Sequence, residues 1–369
     1  MTILRADAHF TLSDPAAVLR SLCEHMIEHE AVVSEQDGGT LIVTGASRAV
    51  LRAGEDRLEA CVEAPDLAGL QEMKLAVASH VVELAPPGSV AGSGWSGDGS
   101  GPSLLPDFRV LTVIGTEPLT PHMRRIRFRG ENLARFASLE ALHVRLFFPP
   151  AGLAEPAWPM LSEDGLISQP PLEQRPAVRK YTIREINVAA GTLAIDFVLH
   201  GDAGPGSAFA ERAAAGDRIG MAGPGGRGLR EAERYLFLAD ETGLPAVARM
   251  LASLPREARG LAVLEVANAR EEQALEAPAG FAIRWLHRDP AAPGAAPLLQ
   301  AFEALDWDED GPGLYLWAAM EHETFRQVRA AARQRLRPAR DQHLIVSYWR
   351  NGVSEEQHAL EKKAAARAA

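Results

Sequence analysis

One stretch decides the fold: Tyr235-Leu236-Phe237-Leu238-Ala239-Asp240-Glu241-Thr242-Gly243-Leu244-Pro245-Ala246. Its first five residues are hydrophobic, which is typical of a strand buried on both faces of a parallel sheet. A tight turn and a helix start follow, so Thr242 and Gly243 are predicted at the carboxyl edge of that sheet, where α/β domains bind nucleotides. The stretch lacks the G-x-G-x-x-G dinucleotide fingerprint. The usual inference of a dinucleotide site therefore fails here, and what remains is an α/β domain with a T-G-x-P turn at this edge.

The sequence on either side extends this pattern. Towards the C-terminus, Leu261–Ala267 and Gly313–Ala318 are predicted to be buried strands and His322–Leu336 a long helix, an alternation that indicates a parallel sheet. Towards the N-terminus, short strands separated by turn residues indicate an antiparallel barrel. The predicted barrel strands are Arg109–Thr116, Met123–Arg129, His143–Phe148, Arg179–Ile186 and Leu193–His200.

A segment rich in glycine, serine and proline precedes the barrel and is predicted to be a flexible linker, because it has little apolar surface to offset its ordering entropy. The residues before it are predicted to form a small α+β domain. Its predicted elements are a helix at Asp14–His29, strands at Ala31–Glu35 and Thr40–Thr44, and a helix at Leu67–Leu84. The predicted order is a small domain of unknown function (1–86), linker (87–106), β-barrel (107–233), α/β domain (234–355) and C-terminal tail (356–369).

Composition excludes several classes of protein. The 38 basic and 49 acidic residues give a net charge of −11, which argues against nucleic acid or an anionic membrane as the main partner. No apolar run approaches the ~20 residues of a spanning helix, and the first residues lack the apolar core of a signal peptide. Two cysteines cannot build a disulfide framework. We therefore expect a cytoplasmic protein with no nucleic-acid partner and no stable membrane insertion.

No metal site is predicted. His25 and His29 have the i,i+4 spacing that can grip a metal ion, and Cys23 is close to them in sequence. Because spacing fixes no third ligand, we interpret them as surface histidines.

Two motifs in the barrel region suit a planar ligand that carries phosphate. Arg179-Lys180-Tyr181-Thr182-Ile183-Arg184 lies in a predicted strand, where alternation places Arg179, Tyr181 and Ile183 on one face. His200-Gly201-Asp202-Ala203-Gly204-Pro205-Gly206-Ser207-Ala208-Phe209-Ala210 is a Gly-rich turn into a short helix, whose amides and Ser207 hydroxyl can donate to an anion. Taken singly, each motif also fits an ordinary amphipathic strand or an ordinary turn.

The order of the motifs is more specific. An R-x-Y-T strand, a G-x-x-S turn and a T-G-x-P turn resemble the ferredoxin-reductase-like flavoenzymes. The exact residues of these motifs narrow the resemblance: residues 107–355 resemble the siderophore-interacting proteins, which include ferric-siderophore reductases. The segments that carry this resemblance are Thr120–Arg125, Arg179–Arg184, His200–Ser207, Gly216-Asp217 with Gly223–Gly226, Asp240–Ala246 and Tyr348–Gly352. Residues 1–86 resemble a small uncharacterised domain found fused to such proteins.

The sequence departs from the family pattern at four positions. Phe209 stands where the family usually has Trp, and Gly206 and Gly243 where it usually has Ala. Met320 replaces the usual Gly of an Ala-Gly-Glu motif, a change expected to affect the approach of the nicotinamide cofactor.

The resemblance implies a ferredoxin-reductase-like fold, with FAD bound by the barrel and NADH or NADPH by the α/β domain. The flavin would carry the chemistry, so no catalytic residue beyond it is expected. The implied FAD contacts are Arg179 to the phosphates, Tyr181 to the isoalloxazine ring, Thr182 to the flavin polar edge, and His200, Gly204 and Ser207 around the pyrophosphate. The implied NAD(P)H pocket is formed by Thr242, Gly243 and Pro245 with Glu321 nearby, and either Tyr348 or Trp349 stacks near the ring.

A basic mouth is the predicted substrate site, because siderophores are often anionic. Arg125, Arg127 and Arg129 alternate on one strand face and are expected, with Arg145, to attract the substrate. A solvated strand face explains the same pattern equally well.

The function implied by the resemblance is an FAD-dependent ferric-siderophore reductase that passes electrons from NAD(P)H through flavin to Fe(III)-siderophore and releases Fe(II). The alternatives are a siderophore-binding adaptor with little turnover, a flavin reductase with another acceptor, and ferredoxin as donor, which Met320 favours. The sequence leaves open which siderophore is used, NADH against NADPH, the oligomeric state and the role of residues 1–86.

Overall fold

A computed structural model describes residues 2–36, 38–90, 94–153, 155–200, 204–288, 291, 296–305, 313–336, 343–353 and 357. The predicted C-terminal tail, apart from residue 357, lies outside these residues. The chain divides into two compact units: Met1–Phe108 with Pro149–Pro176, and Arg109–Phe148 with Ala177–Ala369. Each unit is described by itself below.

The described residues form six helices and twenty strands. The helices are α1 (Pro15–Glu28), α2 (Leu67–Leu84), α3 (Pro205–Arg212), α4 (Leu244–Ser253), α5 (Pro297–Glu303) and α6 (His322–Arg335). The strands of the first unit are β1 (Leu4–Thr11), β2 (Val32–Gln36), β3 (Gly39–Thr44), β4 (Ser47–Ala53), β5 (Arg57–Ala64), β6 (Ser96–Gly97), β7 (Ser103–Leu104), β11 (Met160–Leu161) and β12 (Ile167–Ser168). The first residue of the long strand β8 also falls in this unit. Those of the second are β8 (Phe108–Thr120), β9 (Met123–Arg129), β10 (His143–Phe148), β13 (Ala177–Asn187), β14 (Thr192–Val198), β15 (Arg218–Gly225), β16 (Arg234–Ala239), β17 (Arg259–Val266), β18 (Gly280–His287), β19 (Leu314–Glu321) and β20 (His343–Trp349).

The first unit is a six-stranded sheet, ordered β2-β3-β4-β5-β1-β6, with α1 and α2 packed against it. Both helices begin at an aspartate that accepts a backbone N–H, Asp14 from Ala17 and Asp66 from Gly69. Alternating residues of the strands and the apolar faces of the helices form one core. The predicted α+β character is confirmed, and four strands of the sheet, β1, β4, β5 and β6, were not predicted.

Part of the predicted linker is ordered in this unit. Strands β6 and β7 lie within residues 87–106, and the Trp95 side chain is buried in the core. Lys74 of α2, itself buried, donates to the carbonyl oxygen of Gly99 and lies 5.6 Å from the Trp95 ring centroid. The burial of this one tryptophan therefore orders part of a segment whose glycine-rich composition predicts a flexible linker.

Residues 149–176 belong to the first unit rather than to the barrel in which the sequence places them. Strands β11 and β12 pair with each other, and β11 pairs with β7. The Trp95 backbone N–H also donates to the Glu163 carbonyl oxygen. The segment therefore interrupts the barrel between β10 and β13.

The second unit begins with a closed six-stranded barrel, ordered β10-β13-β14-β9-β8-β15. Its pairings are antiparallel, as predicted, and inward residues such as Ile126, Phe128 and Ile195 fill the interior. Strand β15 closes the barrel by pairing with β10. It was not predicted because its residues Gly220, Gly223, Pro224 and Gly225 read as a turn.

A five-stranded parallel sheet, ordered β18-β17-β16-β19-β20, completes the second unit. Helix α4 covers one face and α5 and α6 the other, so the central strands are apolar on both sides. The predicted barrel and parallel α/β sheet are thus confirmed.

Arg249 of α4 joins the sheet to the barrel. Its buried guanidinium donates to the carbonyl oxygens of Ile183, Phe136, Ala137 and Ser138, at 3.0 to 3.2 Å. Burial lowers its pKa to about 10, so the group stays cationic at neutral pH.

We predict that Arg249→Met destabilises the protein by about 3 kcal/mol, because these buried carbonyl oxygens lose their donors. Thermal unfolding followed by circular dichroism measures the change. Arg326→Met, on the exposed face of α6, is the matched control and should remain within about 0.5 kcal/mol of the parent. Equal stabilities of the two variants would contradict the assignment.

Candidate cofactor and nucleotide site

The Asp240 carboxylate organises the carboxyl edge of the parallel sheet. One oxygen accepts from the Thr242 backbone N–H (2.9 Å) and the Thr242 hydroxyl (2.5 Å). The other accepts from the Glu321 backbone N–H (2.8 Å) and the Trp349 indole N–H (2.8 Å). This single buried side chain therefore fixes the ends of β16, β19 and β20 relative to one another.

The turn after Asp240 lies very close to β19. A Cβ at Gly243 would lie 2.8 Å from the Ala319 carbonyl oxygen and 3.1 Å from its Cβ. Glycine thus lets the T-G-x-P turn approach the strand. Pro245 follows, buried in the first turn of α4.

Glu321 supports this edge through both carboxylate oxygens. One caps α6 by accepting the backbone N–H groups of Glu323 (2.5 Å) and Thr324 (3.4 Å). The other accepts the backbone N–H of Asn351 (3.2 Å). Glu321 therefore positions the loop after β20, next to Trp349.

Tyr348 links the sheet edge to the barrel. Its side chain hydrogen-bonds Thr182 of β13, and burial, together with the Asp240 charge, raises the pKa of the phenol. Its ring meets Trp317 edge to face at 6.2 Å between centroids. Thr182, from the predicted flavin motif, and Thr242, Gly243, Glu321 and Trp349, from the predicted nucleotide pocket, are thus brought into one neighbourhood.

The other predicted flavin residues lie on the far side of β13. The Tyr181 ring packs on Phe197 at 4.5 Å between centroids and reaches α3, where a Cβ at Gly206 would overlap its hydroxyl. Arg179 lies two residues earlier on the same strand face and donates to the Val178 carbonyl oxygen at 2.8 Å. Glycine at 206 therefore makes room for the tyrosine.

The turn before α3 is closed by Ser207. Its buried hydroxyl accepts from the His200 backbone N–H and lies at the same distance, 3.2 Å, from the His200 carbonyl oxygen. Residues 201–203 of the predicted turn lie outside the described residues. Helix α3 begins at Gly204 with no side-chain cap, so its first amides are suitably placed for an anion. This donor set, with Arg179 and Tyr181, fits a phosphorylated flavin.

Models of known families match three parts of the chain. One described as a siderophore-interacting FAD-binding domain matches residues 112–228, and one described as siderophore-interacting protein matches residues 232–352. The chain belongs to the siderophore-interacting protein family. A third model, described as an uncharacterized protein conserved in bacteria, matches residues 7–95.

Relatives agree with this assignment. Ferric vibriobactin reductase ViuB of Vibrio cholerae is 30% identical over 258 residues, which cover 69% of this chain and 93% of the relative. The NADPH-dependent ferric-chelate reductase of Escherichia coli is 35% identical over 192 residues, covering 50% and 73%. The crystal structure of SipS from Aeromonas hydrophila matches with a TM-score of 0.59 at 33% identity, covering 69% and 98%. A siderophore utilization protein from T. fusca matches with 0.60 at 38%, covering 68% and 96%.

In this siderophore-interacting protein, a cavity of about 310 Å³ lies between the barrel and the sheet edge. Apolar side chains form much of its wall, together with two imidazoles and two carboxylates. Its lining residues are Thr120, His122, Met123, Val198, Leu199, His200, Glu241, Leu244, Val266, Ala267 and Glu271.

Glu271 ties the barrel hairpin to this cavity. Its carboxylate accepts from the Thr120 hydroxyl (2.5 Å) and the His122 backbone N–H (3.2 Å), and its other oxygen lies 2.6 Å from His122 Nδ1. Burial opposes ionisation, but these hydrogen bonds hold the pKa of Glu271 below its usual value. Sequence analysis missed this contact because its partners are about 150 residues apart.

Two of the four arginines predicted to bind substrate are already paired. Arg125 donates to the buried Asp196 (2.6 and 2.9 Å) and to Glu185, and Arg127 pairs with Glu185 and Glu117. These carboxylates compensate part of the positive charge of this strand face. Arg125, Arg127 and Arg129 do share one face of β9, as predicted. Arg145 lies on β10, separated from β9 by β13 and β14. Siderophore binding by these four arginines stays a prediction.

The remaining predictions concern Met320, the histidines and the membrane. The Met320 side chain is fully buried in an apolar cluster with residues of α5 and α6. His80 joins His25 and His29, with ring centroids 4.6 to 4.7 Å apart. Within the described ranges, no three potential ligands are arranged to hold a metal ion.

Within those same ranges, no helix is long and apolar enough to cross a membrane.

Proposed function

We propose that this protein is a cytoplasmic, FAD-dependent ferric-siderophore reductase. Electrons would pass from NADH or NADPH through the flavin to Fe(III) held by a siderophore, and Fe(II) would leave. The observation that carries the proposal is the Asp240 cluster at the sheet edge, joined through Tyr348 to Thr182 of the flavin-binding strand. A nucleotide held at this edge would lie beside a flavin held by β13.

The chain's own residues would bind, orient and shield the reactants. Arg179 and the first amides of α3 would hold the FAD phosphates, Tyr181 would contact the ring system, and Thr182 would donate to its polar edge. Bound FAD supplies the chemistry, because it accepts a hydride from a nicotinamide and passes electrons on singly. The apolar wall of the cavity would exclude water from the nucleotide.

The printed names of the relatives support this activity. ViuB is a ferric vibriobactin reductase and the Escherichia coli relative is an NADPH-dependent ferric-chelate reductase. Together with the match to an FAD-binding domain, they favour an enzyme over a siderophore-binding adaptor. Ferredoxin as donor, the alternative suggested by Met320, stays a prediction.

Trapping of Fe(II) tests the proposal. We expect the FAD-loaded protein with NADH or NADPH to reduce a ferric siderophore under anaerobic conditions, with Fe(II) captured by ferrozine. Arg179→Met should lower FAD affinity about tenfold through loss of one charge-assisted contact, whereas exposed Arg326→Met should not. Binding of the siderophore without Fe(II) formation would support the adaptor instead. Fe(II) formation only with reduced ferredoxin would replace the proposed donor.

A further inference from the structure

Arg288 is held between two carboxylates at the sheet edge. It follows β18 directly and pairs with Glu241, which follows β16, and with Glu265 near the end of β17 (Nε to Oε1, 3.1 Å). The Glu265 side chain is only 11% exposed and that of Arg288 37%. The positive charge is therefore compensated on two sides by residues from neighbouring strands.

The position of this triad bears on the nicotinamide donor. In parallel α/β domains the adenine ribose lies near the carboxyl end of the second strand, where an acidic residue binds the 2′-hydroxyl or an arginine accommodates a 2′-phosphate. Strand β17 is the second strand of this sheet, and Glu265 is its penultimate residue. An acidic residue and an arginine are thus both present at this edge, but Arg288 is paired with Glu241 and Glu265.

The rest of this edge offers little to a further phosphate. His287 is paired with Glu272 at 2.8 Å. Arg270 lies in the turn after β17, but Glu271 and Glu272 follow it directly, and their carboxylates oppose a phosphate there. The cavity lining includes Glu241 and Glu271, and no lysine or arginine belongs to the described lining. A 2′-phosphate would have to displace two carboxylates from Arg288 and then lie beside them. A ribose hydroxyl can instead donate to a carboxylate without breaking either pair.

We propose that this protein prefers NADH to NADPH, and that Glu241 and Glu265 set this preference by retaining Arg288. The inference rests on the proposed function, since it names the donor for that same site. It also predicts a difference from the Escherichia coli relative, whose printed name is NADPH-dependent.

Calorimetric titration of the FAD-loaded full chain with NAD⁺ and NADP⁺ at low ionic strength tests the inference without relying on turnover. We expect NAD⁺ to bind at least about tenfold more tightly, since Arg288 is already paired and Arg270 lies beside two acidic residues. The double substitution Glu241→Gln, Glu265→Gln should shift the ratio of dissociation constants about tenfold towards NADP⁺ by releasing Arg288. Adding Arg288→Met should cancel that shift. Glu59→Gln, which removes an exposed ion pair with Arg57 in the first unit, should leave the parent ratio unchanged.

The outcomes separate the two proposals. Equal or tighter binding of NADP⁺ by the parent protein overturns the NADH preference while the reductase proposal stands. Binding of neither nucleotide overturns both the preference and the nicotinamide step of the proposed function. If the parent prefers NAD⁺ but the released Arg288 variant keeps the parent ratio, the role of the two glutamates is overturned. Flavin content and melting temperature verify that each variant is folded. The ratio of dissociation constants in the parent protein tests the NADH preference even if a variant fails to fold.

Discussion

Asp240→Asn is expected to slow reduction of the bound flavin by NADH about 100-fold, the size of effect that a 1 Å misplacement can produce. All the groups around the Asp240 carboxylate are donors, so an amide NH₂ on either side would face N–H groups that need an acceptor. The T-G-x-P turn, the Glu321 amide and the Trp349 indole would then lose their common anchor. FAD content should remain that of the parent, because the FAD phosphates are assigned to Arg179 and α3.

Anaerobic stopped-flow absorbance at the flavin band measures this effect, with dithionite reduction confirming an intact flavin. Asp217→Asn is the matched control, because among the described residues the Asp217 carboxylate accepts a local turn amide, that of Ala214, at 2.9 Å. A parent-like rate in Asp240→Asn, or an equal loss in Asp217→Asn, would show that the edge cluster does not position the nucleotide.

Arg125→Met should lower the stability of the barrel unit by about 3–5 kcal/mol, because it leaves a buried carboxylate without its partner. The Asp196 side chain is 1% exposed and receives two hydrogen bonds from the Arg125 guanidinium. Asp196→Asn in the same background should recover part of the loss by removing the uncompensated charge.

Thermal unfolding of the single and double variants measures this coupling. Arg127 lies on the same strand face with its side chain 46% exposed and provides the control. Arg127→Met should cost at most about 1 kcal/mol, as exposed ion pairs do. A mild effect of Arg125→Met, equal to that of Arg127→Met, would return Arg125 to the candidates for substrate binding.

The sequence predicted those helices and strands that apolar spacing and nearby turn residues define. Helix α2 and strands β9 and β10 occur at the predicted residues, because apolar spacing and bounding turn residues define them. Strand β15 was missed, since its glycines and proline read as a turn and only pairing with β10 makes it a strand. Residues 149–176 were misplaced for the same reason: their pairing partner, β7, lies more than fifty residues earlier.

The site shows the same limit. The T-G-x-P turn was found from its strand–turn–helix pattern, but the central role of Asp240 depends on Trp349, 109 residues away. The alternation of Arg125 and Arg127 was predicted, whereas their neutralisation by Asp196 and Glu185 depends on strand register. Side-chain partners across a barrel or a sheet edge are set by the tertiary fold, which one sequence does not display.

An anaerobic visible spectrum of the FAD-loaded protein tests the proposed reductase most directly. The flavin band should bleach on addition of NADH and return in full on addition of a ferric siderophore, with Fe(II) appearing in step. A flavin that stays oxidised with both nicotinamides, or a bleached flavin that a ferric siderophore does not reoxidise, would contradict the proposed electron path.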